Sequence, residues 1–93
     1  MIMSFGGAAT RELFFEGQSR KWGHIAKPSM RRLAMLHRAE SIEELRIPPS
    51  NRLKPLHGDY SRWHSIRIND QYRICFTFHE GHAEDAEITK HYR

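Results

Sequence analysis

Two arginines six residues apart, Arg67 and Arg73, fall out of phase with the apolar residues around them. In strands of period two they project from one side, together with Ser65 and Thr77. Two planar guanidiniums on one face suit the oxygens of a phosphate. They equally suit carboxylates, so pairing with Asp59, Glu84 or Glu87 across the sheet is the other reading of the same pattern. Lys54 and His57 lie just before this region, and Lys90-His91-Tyr92-Arg93 end the chain. Cleaving RNA without a metal needs a base for the 2′-hydroxyl, an acid for the departing 5′-oxygen, and cations around the phosphorane-like charge. Histidine, tyrosine, lysine and arginine cover those tasks, and nearby cations favour the phenolate of a tyrosine.

Other chemistries have weaker support. His79 and His82 bracket a turn and could meet His57 or His64 around zinc, but two histidines at a hairpin tip are an unspecific signal. No Asp-x-Asp pair, glycine-rich phosphate loop or nucleophile elbow occurs, which argues against two-metal nucleases, nucleotide-driven enzymes and serine hydrolases. Zinc-finger, helix-turn-helix and RNA-recognition signatures are also missing. No metal and no cofactor is expected.

The elements that must position these residues follow from the apolar pattern. Residues 1–5 read as a first strand, closed by Gly6-Gly7. Good helix formers over residues 8–15, anchored by Leu13 and Phe14, read as a helix stopped by Gly17. A second helix is expected from Lys27-Pro28, with Met30, Leu33, Leu36 and His37 on one face and Arg31 and Arg38 on nearly the opposite one. Ser41-Ile42-Glu43-Glu44 matches a capping box, giving one more helical turn to about Leu45. From Arg52 the period becomes two. Pro55 confines its segment to a sheet edge or a strand start, His64, Ile66 and Ile68 alternate with Ser65 and Arg67, and Tyr72, Ile74, Phe76 and Phe78 alternate with Arg73, Cys75 and Thr77. A turn at Glu80-Gly81 returns the chain through Ala86 and Ile88. The expected class is α+β, an N-terminal strand and two to three helices on one face of a small, mainly antiparallel sheet, all within one domain, 1–93.

Composition agrees with a compact domain. Of 93 residues, 39% are hydrophobic and 28% charged. A net charge of +4 and a pI near 9.6 point to a polyanionic partner, nucleic acid or acidic protein. Arg20, Lys21, Lys27, Arg31, Arg32 and Arg38 follow one another with no acidic residue between, either a binding stripe or a solvated face. One cysteine, Cys75, makes neither an internal disulfide nor a thiolate cluster, which fits a reducing cytoplasm. Apolar runs fall far short of the roughly 20 residues needed to cross a bilayer, and no leader pattern opens the chain.

With these residues in view, "RLKPLHGD", "WHSIRINDQYRICFTF" and a tyrosine next to last, the chain resembles the HigB family, the plasmid maintenance system killer proteins of the RelE/ParE toxin superfamily. The resemblance covers essentially the whole chain, and "SIRINDQYRI" is its most specific part. It implies a compact sheet with helices on one side and an open basic groove on the other. It also implies a toxin that cleaves messenger RNA in the ribosome without metal. Its partners would be a HigA-type helix-turn-helix antitoxin and, through it, operator DNA. By position, Arg73 falls on the arginine that contacts the scissile phosphate. Lys54 and His57 stand where the family has a histidine and a lysine, exchanged in order. Tyr92 matches the tyrosine of the frequent Asp-Tyr-His ending, while His91 and Arg93 replace its neighbours. The implied roles are Arg73 for transition-state charge, Lys54 and Arg67 for the phosphates, and Tyr92, His57 or His91 for protons. Arg93, Lys90, Arg31 and Arg38 are expected as further RNA contacts. A gyrase-binding toxin of the ParE kind and a relic that only binds its antitoxin are the rival readings, because a fold does not fix a function. Arg73 is expected to point to the open face and to contribute little packing.

Overall fold

The structure, a computed structural model, describes residues 1–58 and 62–90. Two helices, α1 (Ala8–Glu16) and α2 (Ala26–Arg38), precede a four-stranded antiparallel sheet of β1 (Lys54–Pro55), β2 (Trp63–Arg67), β3 (Tyr72–His79) and β4 (His82–Lys90), in that spatial order. This is the expected α+β arrangement. α1 ends at Gly17, whose φ of 73° lets its N–H close on the Leu13 carbonyl, a left-handed cap that glycine adopts without steric penalty. α2 begins slightly earlier than its proline suggests, because a 3₁₀ turn over Gly23–Ile25 leads directly into it.

Each helix buries one stripe. Leu13, Leu33 and Leu36 are fully enclosed against Ile66, Ile74, Phe76, Ala86 and Ile88 from the sheet. Met30 and His37 are half-buried at the margin. Thr10 is also enclosed, and its hydroxyl accepts the Ile88 N–H at 3.1 Å, tying α1 to β4 by a polar bond inside the core.

The capping box forms as expected, with Glu44 Oε2 accepting the Ser41 N–H at 2.9 Å, although the segment it starts, Ile42–Arg46, is 3₁₀. Positive φ at both Glu80 (49°) and Gly81 (82°) makes the β3–β4 connection a two-residue hairpin turn. The turn before β3 is held by Asn69, whose Oδ1 accepts the N–H groups of Gln71 and Tyr72 at 2.8 and 2.9 Å.

Residues 1–5 join β4 at two parallel bridges, Ile2–Ala83 and Phe5–Ala86, rather than as a continuous strand. A bulge is the reason. The β3–β4 register shifts between Cys75 and Thr77, Asp85 has φ 55°, and the Ser4 hydroxyl accepts its N–H at 2.9 Å. At Gly6 the chain passes so close to β4 that a Cβ would lie 2.9 Å from Glu87 Oε1. Among the described residues no helix is long and apolar enough to cross a membrane.

Candidate functional site

The sheet has one face under the helices and one face open. Register places Trp63 opposite Thr77, Ser65 opposite Cys75 and Arg67 opposite Arg73 on the open face, with Lys54 opposite Ser65 beyond them. Three strands therefore deliver three of the expected cations to one place. They line a cleft of about 640 Å³ together with Arg52, Leu53, Asn69 and Asp70. Among the described residues its lining holds four cationic side chains and one carboxylate. A larger hollow of about 800 Å³ runs beside α1, but there Glu12 and Glu16 match Arg11 and Arg20, so the smaller cleft is the stronger anion site.

The structure corrects the expectation for Arg73. Its side chain is buried, with 7% of the residue exposed. Nε donates to Ser65 Oγ at 2.7 Å, and Nη2 donates to the Arg52 carbonyl at 2.6 Å and to the Ser65 carbonyl at 3.4 Å. The alternation of β3 carries no sign of this, because the cover comes from the segment running from the 3₁₀ turn Pro49–Asn51 into β1. Nη1 has no protein acceptor among the described residues. Burial above all draws the guanidinium below its ordinary pKa; Cys75 acts the other way, and repulsion from Arg67 and Arg52 adds smaller lowering contributions. Arginine remains a cation even so. Its three acceptors are all neutral, so they fix the group without cancelling its charge.

Arg67 is held differently. It pairs with Asp70 in the following turn, and not with Glu84 or Glu87; Asp59 lies outside the described residues. Its carbonyl accepts Arg32 Nε from α2 at 3.0 Å. Burial first, then Arg31 and Arg67, keeps Arg32 below its ordinary pKa.

The other candidates lie elsewhere or beyond description. His57 is exposed two residues past β1 and does not line the cleft. Lys90 sits opposite Tyr72, so its side chain leaves the sheet on the helix side. Arg31 and Arg38 are exposed on α2, in the other layer. His91, Tyr92 and Arg93 fall outside the described residues. His79 and His82 do face each other across the hairpin, yet among the described residues no three His, Cys, Asp or Glu side chains gather in a metal-holding group. Arg52, Asn69 and Asp70 were not singled out from sequence. The Asn-Asp pair between two alternating runs was a readable turn signal; the placing of Arg52 was not.

The profile of a family described as the RelE-like toxin of type II toxin–antitoxin system HigB matches residues 9–92. The chain belongs to this family. This HigB-family chain is 37% identical to Toxin HigB-1 of Vibrio cholerae serotype O1, across 86% of the chain and 87% of that protein. An uncharacterized protein of Haemophilus influenzae is 31% identical, across 73% of the chain and 67% of its own length. Among solved structures, the YoeB-YefM complex from Staphylococcus aureus superposes with a TM-score of 0.63 at 18% identity, covering 99% of both chains, a likeness of fold. The HigB-family chain is thus a RelE-like toxin of a type II toxin–antitoxin system.

Proposed function

We propose that this toxin is a ribosome-dependent endoribonuclease that cuts translated messenger RNA without a metal ion. The observation that carries the reading is the free edge of Arg73. A buried guanidinium, fixed by neutral oxygens, faces Arg67 and Lys54 in a cleft that has a single carboxylate among the described residues. Preorganised donors of this kind stabilise charge that develops on a transferring phosphate. In the reaction the 2′-oxygen attacks phosphorus, the bond to the 5′-oxygen breaks, and Arg73 meets the charge on the non-bridging oxygens. Lys54 and Arg67 hold the flanking phosphates. Tyr92, His57 or His91 takes the proton from the 2′-hydroxyl and returns one to the leaving oxygen, with the ribosome completing the site. Residues 1–93 act as one domain in the cytoplasm. A HigA-type antitoxin with a helix-turn-helix domain neutralises the toxin and carries it to operator DNA, and Arg93, Lys90, Arg31 and Arg38 add RNA contacts outside the cleft.

The test is to induce the chain in bacteria and map message breaks, then repeat with purified protein on free and ribosome-bound RNA. Breaks inside translated codons, weak cutting of free RNA, and indifference to prior EDTA treatment of the protein are expected. DNA damage with intact RNA would select gyrase poisoning instead, and growth without arrest would select a relic. Strong cleavage of naked RNA abolished by EDTA would overturn the metal-free mechanism.

A further inference from the structure

We infer that Arg52 is an RNA-contacting residue of the cleft, held at a left-handed backbone position for the sake of its side chain. The inference rests on the reading that RNA is the substrate. Arg52 has φ 44° and ψ 52° and closes the 3₁₀ turn Pro49–Asn51. Such a position favours glycine or asparagine, because a Cβ there crowds the following carbonyl. Strain of this sort persists where function asks for it.

What the fold takes from Arg52 is main chain only. Its N–H donates to the Pro49 carbonyl at 3.0 Å, and its carbonyl accepts Arg73 Nη2 at 2.6 Å. Glycine would supply both with less strain. Among the described residues the Arg52 side chain makes no hydrogen bond and no ion pair, and the residue is exposed. It nevertheless lines the cleft beside Lys54, Arg67 and Arg73, adding a cation where cations already repel one another. Its carbonyl therefore fixes one guanidinium while its own guanidinium remains for the substrate. The ligand chemistry that answers this arrangement is a phosphate one step along the strand from the one at Arg73.

The experiment compares the full-length parent with Arg52→Gly, Arg52→Gln and Arg52→Lys, using a 2′-O-methyl oligoribonucleotide that cannot be cleaved. Affinity is measured across a salt series, and melting temperature alongside. Arg52→Gly should melt no earlier than the parent. Both neutral variants should bind about three- to ten-fold more weakly at low salt, with a log–log salt slope shallower by about 0.7, the loss of one single-strand phosphate contact. Arg52→Lys should recover most of the slope. Parental slopes in both neutral variants, or a parent that does not bind the oligoribonucleotide, would overturn the inference. If Arg52→Gly melts early, the strain argument is wrong and Arg52→Gln decides the contact. Cleavage of ribosome-bound message by the parent is scored separately. A cutting parent with indifferent variants defeats only this inference, and an Arg52-dependent slope without any cutting defeats only the nuclease reading.

Discussion

Arg73→Ala should destabilise the fold as well as disarm it. The substitution removes the donor from Ser65 Oγ, from the Ser65 carbonyl and from the Arg52 carbonyl, and Ser65 is fully enclosed. Each acceptor left without a donor in a buried place costs about 1–3 kcal/mol. Two effects work in the opposite direction. The cleft is open, so water reaches part of the vacated space. Removing one of two arginines placed directly opposite each other relieves repulsion of about 0.2–1 kcal/mol. The balance is a loss of about 2 kcal/mol. For a chain of this size each kcal/mol shifts the melting temperature by about 4–8 °C, so a drop of about 8–16 °C follows. Circular dichroism melts of parent, Arg73→Ala and Arg73→Lys measure it. Arg73→Lys keeps the charge but cannot span three acceptors as a planar fork, so it should fall between the others in stability and still cut poorly. An Arg73→Ala protein melting within about 2 °C of the parent would refute the reasoning, because the bonds to Ser65 and Arg52 would then be idle.

Asp70→Asn should strengthen binding of an uncleavable oligoribonucleotide by about three-fold at low salt, and the gain should vanish at high salt, because Asp70 is the one carboxylate of the cleft among the described residues and is exposed to screening; unchanged binding at low salt would show that Arg67 is not restrained by it. Thr10→Val, nearly isosteric, should cost about 1–3 kcal/mol in urea unfolding by stranding the Ile88 N–H in the core, with no effect on cleavage per folded molecule; parental stability would mean that water or another acceptor replaces the hydroxyl. Deleting residues 91–93 should abolish message cleavage while antitoxin capture persists in a pull-down, and Tyr92→Phe should separate stacking from proton transfer. Parental cleavage after the deletion would move proton transfer to His57 and Lys54.

The elements were legible where one physical signal dominated. Period two from Ser65 to Phe78 decides which side each strand residue takes, and so brings Arg67 and Arg73 to one face. Pro55 announced an edge strand or a strand start, Gly17 a helix end, and Ser41 with Glu44 a cap. Lys90 was legible too: it follows Ile88 by two residues and must leave on the same, helix-facing side. Burial of Arg73 was not legible, because it depends on a segment about twenty residues upstream folding over β3, a non-local event that no alternation records. The same holds for Arg52, whose position follows from the turn at Pro49–Asn51, and for the break in the N-terminal pairing, which follows from the bulge at Asp85.

Two arginines opposite each other on neighbouring strands are an arrangement that a fold selected for stability alone would avoid. The protein could have neutralised them with carboxylates at positions 65 or 75, where serine and cysteine stand. Instead it holds one through neutral oxygens and the other through an exposed aspartate. Neutral acceptors lower the entropy of the guanidinium and fix its plane, yet they leave the field in the cleft positive. A buried carboxylate partner would have fixed Arg73 equally well and quenched that field. The choice of serine and backbone carbonyls over an acid therefore argues that the cleft is shaped to receive an anion from outside, and the exposed Asp70 gives way to one more readily than a buried partner would.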